Sequence, residues 1–84
     1  MASVTRDTLA IVDQLMLELV EYQENKVLAM ARRLHPGVTA EDIRNPHDFP
    51  ALRDNPEWNF EDGILSGYKS AHMALRAKLL ELIA

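Results

Sequence analysis

The sequence has 84 residues, of which 48% are hydrophobic, 6% aromatic and 26% charged, and it contains no cysteine. A chain of this length forms one domain at most and buries only roughly 60 to 65% of the surface that its unfolded state exposes. The lack of cysteine excludes disulfides, thiolate metal sites and a thiol nucleophile. We therefore expect the stability to come from packing, including packing against a partner.

The net charge is −4 and the acidity is concentrated in the middle of the chain. Residues 35–62 hold seven acids against two arginines, a balance of −5. An acidic surface argues against nucleic acid or an anionic membrane as partner. No apolar run reaches about 18 residues and the start does not have the pattern of a signal peptide. We predict a cytoplasmic protein.

Residues 5–34 are predicted to form one long helix, because this stretch has no glycine or proline and is rich in Leu, Met, Ala, Glu and Gln. Ser3 or Thr5 can cap its start, where Asp7 lies in the first turn. His35-Pro36-Gly37 ends it.

The next segment, the connector of residues 35–55, contains three of the four prolines, and Pro56 follows at once. It cannot be one continuous helix. Thr39-Ala-Glu-Asp42 and Asn45-Pro46 are start signals that predict one or two short helices here. Asn55-Pro56 is the start signal of a second long helix, predicted over 56–83.

Two long helices joined by this connector predict an all-α protein, a single helical-hairpin domain over 1–84 whose long helices run antiparallel. The apolar residues of the first helix occupy more of its circumference than one partner helix can cover. Most of these apolar residues form one stripe along the helix. Ile11, Leu15 and Tyr22 extend this stripe on one side, and Leu17 and Leu28 lie beyond its other edge. We therefore predict a homodimer in which two hairpins form a four-helix bundle.

The second helix carries a series of small residues at spacings of 4, 3, 4 and 3. These residues are Gly63, Gly67, Ser70, Ala74 and Ala77. A period of 3.5 with small side chains allows close approach of another helix, so we interpret this small-residue seam as the dimer contact. The alternative is a surface that simply tolerates small residues.

A group of polar residues is predicted near the middle of the hairpin, since turns near Leu34 and Pro56 place residue i opposite residue 90 − i. The group consists of Gln23, Glu24, Glu61, Tyr68 and His72. It could be a ligand pocket with His72 as base or metal ligand, or a hydrogen-bond network that fixes the register of the helices. We favour the network.

Spacing gives no support for a metal, a cofactor or a nucleophile. No Glu-x-x-His or His-x-x-x-His pair exists, and Pro56 and Phe60 spoil the calcium-loop pattern around Asp54. The three glycines form no phosphate-binding loop, and no serine lies in a nucleophile elbow. We predict no catalytic residue, no metal and no cofactor.

Aromatic residues and acids occur together in and just after the connector. We predict partner binding there by Phe49, Glu57, Trp58 and Asp62. Aromatic anchors ringed by charge are typical of interfaces. The alternative, which we favour for the aromatics, is that they plug the open end of the bundle; the two interpretations are compatible if one aromatic is exposed.

The function predicted from these patterns is that of a small, non-enzymatic accessory protein, a homodimer that binds a partner through its connectors. The alternative is a bundle that binds a small ligand or a metal, possibly an enzyme, through the polar group around Tyr68 and His72.

Overall fold

A computed structural model describes residues 4–83, and within them the secondary structure is helical apart from one isolated bridge between Val4 and Ile83. The first helix, α1, spans Arg6–Leu34. The Thr5 hydroxyl caps it by accepting from the Thr8 N–H at 3.1 Å. Ser3, the other candidate cap, lies outside the described residues.

Gly37 ends the α1 segment with a positive φ of 89°, a conformation that a residue with a Cβ rarely adopts. Thr39 and Asp42 then hydrogen-bond reciprocally, each side chain accepting from the other's N–H at 3.2 and 2.9 Å. The connector continues through two 3₁₀ turns, Asp42–Arg44 and Pro46–Asp48, and a short helix α2, Pro50–Arg53.

The second long helix, α3, spans Pro56–Leu82. Its cap is Asn55, whose side-chain oxygen accepts from the Trp58 N–H at 2.9 Å, and Pro56 supplies the first helical residue. The Asn59 amide donates to three backbone carbonyls, those of Leu52, Arg53 and Asn55, at 2.8 to 3.3 Å. These bonds fasten the end of α2 to the start of α3.

The helices α1 and α3 pack together along their length in opposite directions. Near the connector the Trp58 indole N–H donates to the Val27 carbonyl at 3.2 Å. At the other end the Val4 N–H donates to the Leu82 carbonyl at 3.3 Å. The described chain measures 52 × 18 × 16 Å, and its radius of gyration of 16.2 Å exceeds the ~12 Å of a compact domain of this length.

The register of the two helices differs from the predicted one. Val27 contacts Trp58, so opposed residues sum to about 85 and not to 90. The cause is that Trp58 packs into the core beside Val27, about two turns before α1 ends at Leu34, so the end of α1 extends past Pro56. Val38 and Leu52 of the connector pack into the same buried cluster as these residues.

The hydrophobic core lies at the connector end. Its fully or nearly fully buried members are Val20, Val27, Ala31, Val38, Leu52, Trp58 and Leu65. All of them fall between residues 20 and 65, because only there do three layers, α1, the connector and α3, enclose a common interior. We call the other end, residues 4–19 and 66–83, the distal end. None of its described residues is buried.

Among residues 4–83, no helix is both long enough and apolar enough to cross a membrane.

Candidate functional site

The centre of the helix pair holds a buried amide bound to a carboxylate. Gln23 is only 4% exposed, and its Nε2 donates to the Glu61 backbone carbonyl at 2.9 Å and to Glu61 Oε2 at 2.7 Å. Lys26 Nζ lies 3.0 Å from the other oxygen of the same carboxylate. The hydrogen bond from Gln23 lowers the pKa of the Glu61 carboxyl, and Lys26 lowers it further. The Gln23 amide nitrogen and both carboxylate oxygens of Glu61 therefore have partners within the chain.

A second polar group links the helices in the distal half. Nε2 of His72 donates to Asp13 Oδ1 at 2.6 Å, and Arg76 donates to Oδ2 of the same carboxylate. The hydrogen bond from His72 lowers the pKa of the Asp13 carboxyl, with Arg76 acting in the same direction against partial burial. Both oxygens of the Asp13 carboxylate are therefore bound by side chains of α3.

The five residues of the predicted polar group do not surround one cavity. Gln23 and Glu61 are in contact, whereas His72 lies about three turns away on α3 and binds Asp13. Tyr68 is half-buried against the core, and Glu24 lines a separate cleft on the opposite flank of the helix pair from Lys26. The polar residues instead form two separate hydrogen-bonded links between α1 and α3, one between Gln23 and Glu61 and the other between Asp13 and His72. We call each of them a cross-link, in this non-covalent sense.

Sequence reasoning missed Asp13, Arg76 and Lys26. For Asp13 a signal existed, because it lies inside the apolar stripe of α1, four residues after Leu9 and three before Met16. A charged residue in such a stripe needs a partner on the facing helix. For Arg76 and Lys26 the signal was only their spacing of one turn from His72 and Gln23.

The predicted partner-binding residues are not equivalent in the structure. Trp58 is fully buried, so its indole is part of the core and is not presented at the surface. Phe49 is half-buried, with its ring 5.1 Å from that of His35 in an edge contact. Glu57 is exposed and Asp62 is half-buried. The aromatic that is exposed in this region is Phe60, at 69%.

The predicted small-residue seam faces away from α1. All five of its residues are exposed, and a Cβ added at Gly63 or Gly67 would meet no atom within 4 Å. Close contact with α1 is therefore not the reason for these glycines.

A cleft of about 290 Å³ lies between α1, the connector and α3. Leu28, Ile43 and Leu65 are among its apolar lining residues. Its polar lining residues come from all three segments and are Glu24, Asn25, Arg44, Asp62, Ser66 and Lys69. Burial raises the pKa of the Asp62 carboxyl, while the charge of Lys69 acts in the opposite direction.

In the described part of the chain, no group of three or more His, Asp or Glu side chains is placed to hold a metal ion.

Comparison of the chain with protein-family models, curated proteins and solved structures finds no match.

Proposed function

We propose that the protein is a non-enzymatic accessory protein that acts as a homodimer, in which two helix pairs form a four-helix bundle that presents its connectors to a partner protein. The observation that carries the proposal is a set of exposed apolar side chains on one flank of the helix pair. We call it the apolar face. It consists of Ile11, Leu15, Leu19 and Tyr22 on α1 and Phe60, Leu75 and Leu82 on α3.

These seven residues share a flank because of helical spacing. On α1 they recur every three or four residues and lead to Lys26, one turn after Tyr22. Lys26 lines a shallow cleft together with Phe60, which places that side of α1 beside the Phe60 side of α3. Leu75 and Leu82 follow Phe60 on the same side of α3, at spacings that are close to whole turns.

The exposure of the apolar face is high for a monomer. Ile11, Tyr22 and Phe60 are 69 to 70% exposed, and the other four residues are 39 to 55% exposed. Taking roughly 200 to 250 Å² for each such residue when fully exposed, the face amounts to about 850 Å², above the 300–600 Å² typical of the largest patch on a monomer.

The area matches what a dimer requires. The chain exposes 5961 Å², about 900 Å² more than the ~5,050 Å² of a compact monomer of this mass. A stable interface of standard size buries about 800 Å² on each partner. A second copy seated on the apolar face would remove the excess and would cover the distal end, where two helices alone bury no side chain.

The small-residue seam occupies the neighbouring quarter of α3, at 100° per residue. It borders the apolar face near Gly67 and Ala71. We propose that the small-residue seam lies at the edge of the dimer contact, where its small side chains let the second copy approach α3 closely.

The connectors would then lie at the surface of the dimer. Glu41 and Asp48 of the connector and Glu57 at the start of α3 are exposed, and none of them makes an ion pair within residues 4–83. Carboxylates of this kind favour a partner with a basic surface. Trp58 does not take part, because it is in the core.

The dimer is tested with two matched glutamate substitutions. Ile11 and Met73 are 70% and 72% exposed, but Met73 lies on the opposite flank. We expect sedimentation velocity to show a wild-type dimer, an Ile11→Glu monomer and a Met73→Glu dimer. A wild-type monomer at high micromolar concentration would contradict the proposal. If Gly67→Leu dissociated the dimer while Ile11→Glu remained dimeric, the result would show that the dimer interface lies at the small-residue seam and not at the apolar face.

The partner contact is tested separately by cross-linking to a basic binding partner. Charge reversal by Glu41→Lys and Asp48→Lys, both within the connector, should leave the dimer and the helix content unchanged and should abolish chemical cross-linking to the partner. Retention of the same partner by the reversed variant would show that the connector acids do not bind it.

A further inference from the structure

The cleft between α1, the connector and α3 combines an apolar floor with polar groups of both charges. Leu65 is 5% exposed and belongs to the core, so the floor of the cleft is continuous with the hydrophobic core. The volume of about 290 Å³ lies at the lower limit of small-molecule pockets, which run from roughly 300 to 1,000 Å³. A molecule of amino-acid size fits this space.

The polar groups of the cleft are free, unlike those elsewhere between the helices. Within residues 4–83, the side chains of Glu24, Arg44, Asp62 and Lys69 make no hydrogen bond and no ion pair. By contrast Gln23, one residue before Glu24, is bound twice to Glu61. These side chains of the cleft can therefore form hydrogen bonds with a ligand, whereas those of Gln23 and Glu61 are already bound to each other.

The charges are arranged on different segments. Since Gln23 is bound to Glu61, the residues that follow them, Glu24 and Asp62, lie at the same level of α1 and α3 and line the cleft from opposite walls. Arg44 comes from the connector, and Lys69 lies two turns along α3 from Asp62. The carboxylates of Glu24 and Asp62 thus lie at one level of the helix pair. The two cations lie elsewhere, Arg44 on the connector and Lys69 two turns farther along α3.

The partial burial of the Asp62 carboxylate favours a cationic group beside it. Partial desolvation raises the pKa of this carboxyl, which means that its charged form is not fully compensated by the protein. An ammonium group beside it would remove this penalty.

We propose that the cleft binds a free apolar α-amino acid. Its ammonium group would lie between Glu24 and Asp62, its carboxylate would be bound by Lys69 or Arg44, and its side chain would contact Leu28, Ile43 and Leu65. The balance of charges selects a zwitterion over a simple amine or a simple acid. The site lies on the opposite flank from the apolar face, so it stays open in the proposed dimer.

The test measures binding of L-leucine and L-phenylalanine by calorimetry and by methyl NMR of the intact chain. We expect saturable binding with shifts of the Leu28, Ile43 and Leu65 methyl signals. Isoamylamine and isovalerate, which keep the side chain but lack one charge each, should bind about tenfold more weakly or worse. Equal binding of either analogue would overturn the zwitterion assignment.

Two variants locate the site. Asp62→Asn should weaken leucine binding about tenfold or more, and so should the combined change Arg44→Gln/Lys69→Gln, while Asp54→Asn, which changes an exposed carboxylate bound to Arg53, should not. Because Asp62→Asn removes an incompletely compensated charge, we expect it to fold. Absence of binding by the folded wild type at 10 mM of both amino acids, or unchanged binding by Asp62→Asn, would reject the proposal. Neither outcome affects the dimer test.

Discussion

The connector end and the distal end are made from the same two helices, yet they differ in what encloses them. At the connector end Val38 and Leu52 close a third side, and Val27, Leu52 and Trp58 have no exposed surface. At the distal end α1 and α3 face each other alone, and even the inward residues Leu9, Met16 and Leu79 stay partly exposed. Two helices have a line of contact, whereas a third layer creates an interior.

The difference teaches where the stability of the monomer resides. The connector end gains most of the burial of apolar surface, which stabilises by roughly 25 cal/mol per Å². The distal end depends on the contacts of Asp13 with His72 and Arg76, which lie at the partly exposed edge of the pair. Exposed ion pairs contribute little. The following substitutions test this asymmetry, beginning with the largest effect.

Trp58→Ala should destabilise the chain by about 3 to 5 kcal/mol, because it empties the largest space in the core and leaves the Val27 carbonyl without its donor. Chemical denaturation measures the change. Phe60→Ala, two residues away and 69% exposed, is the control and should leave the free energy of unfolding of the monomer nearly unchanged. Similar losses for both would contradict the core assigned to Trp58.

Gln23→Ala should cost about 1 to 3 kcal/mol, since the Glu61 backbone carbonyl loses its side-chain donor at a buried position. Gln14 offers a matched control, because it is also a glutamine of α1 but bonds Glu18 on the exposed side. Gln14→Ala should change the free energy of unfolding by less than about 0.5 kcal/mol. Equal effects would show that the central cross-link does not stabilise the fold.

Gly67→Ala should stabilise the monomer by about 0.5 to 1 kcal/mol, since the added Cβ enters open space and alanine favours the helix. The same substitution at Gly37 should destabilise, because its φ of 89° is unfavourable for alanine. The measurement is thermal unfolding at a concentration where the protein is monomeric. A destabilised Gly67→Ala monomer would mean that α3 is in contact with α1 there.

The smallest effect is a pH dependence at the distal end. The pKa of the Asp13 carboxyl is lower in the folded state, chiefly because His72 donates to it, so its contribution is present above pH ~4 and is lost as the pH falls further. The difference in Tm between wild type and Asp13→Asn should therefore be largest near neutral pH and should shrink below pH ~4. A difference that does not change with pH would exclude this linkage.

The helices and their limits were predictable because their signals are local. Thr5 caps α1 and Asn55-Pro56 starts α3 through bonds that span three residues. Asn45-Pro46 carries a similar signal but starts only a 3₁₀ turn without a side-chain cap, and the short α2 helix begins at Pro50 instead. Pro50 has no N–H to donate to the Pro46 carbonyl four residues earlier, so a helix that began at Pro46 could not continue through it.

The register and the polar pairings were not predictable in the same way. They depend on Trp58 inserting beside Val27, residues that lie 31 positions apart. A shift of about five residues from the predicted register moves Gln23 from the level of Gly67 to that of Glu61 and Asp62 and brings His72 to Asp13. Helical periodicity shows which face is apolar, but it does not show how far one helix slides along the other.

The three bonds from Asn59 bear on the order in which the chain folds. Its amide reaches carbonyls only four to seven residues earlier, so these loops close with little loss of entropy. The α2–α3 corner can therefore form before the long helices meet, with Trp58 already oriented for Val27. Substitutions at Asn59 should then slow folding more than they speed unfolding, whereas those at the distal end should do the reverse.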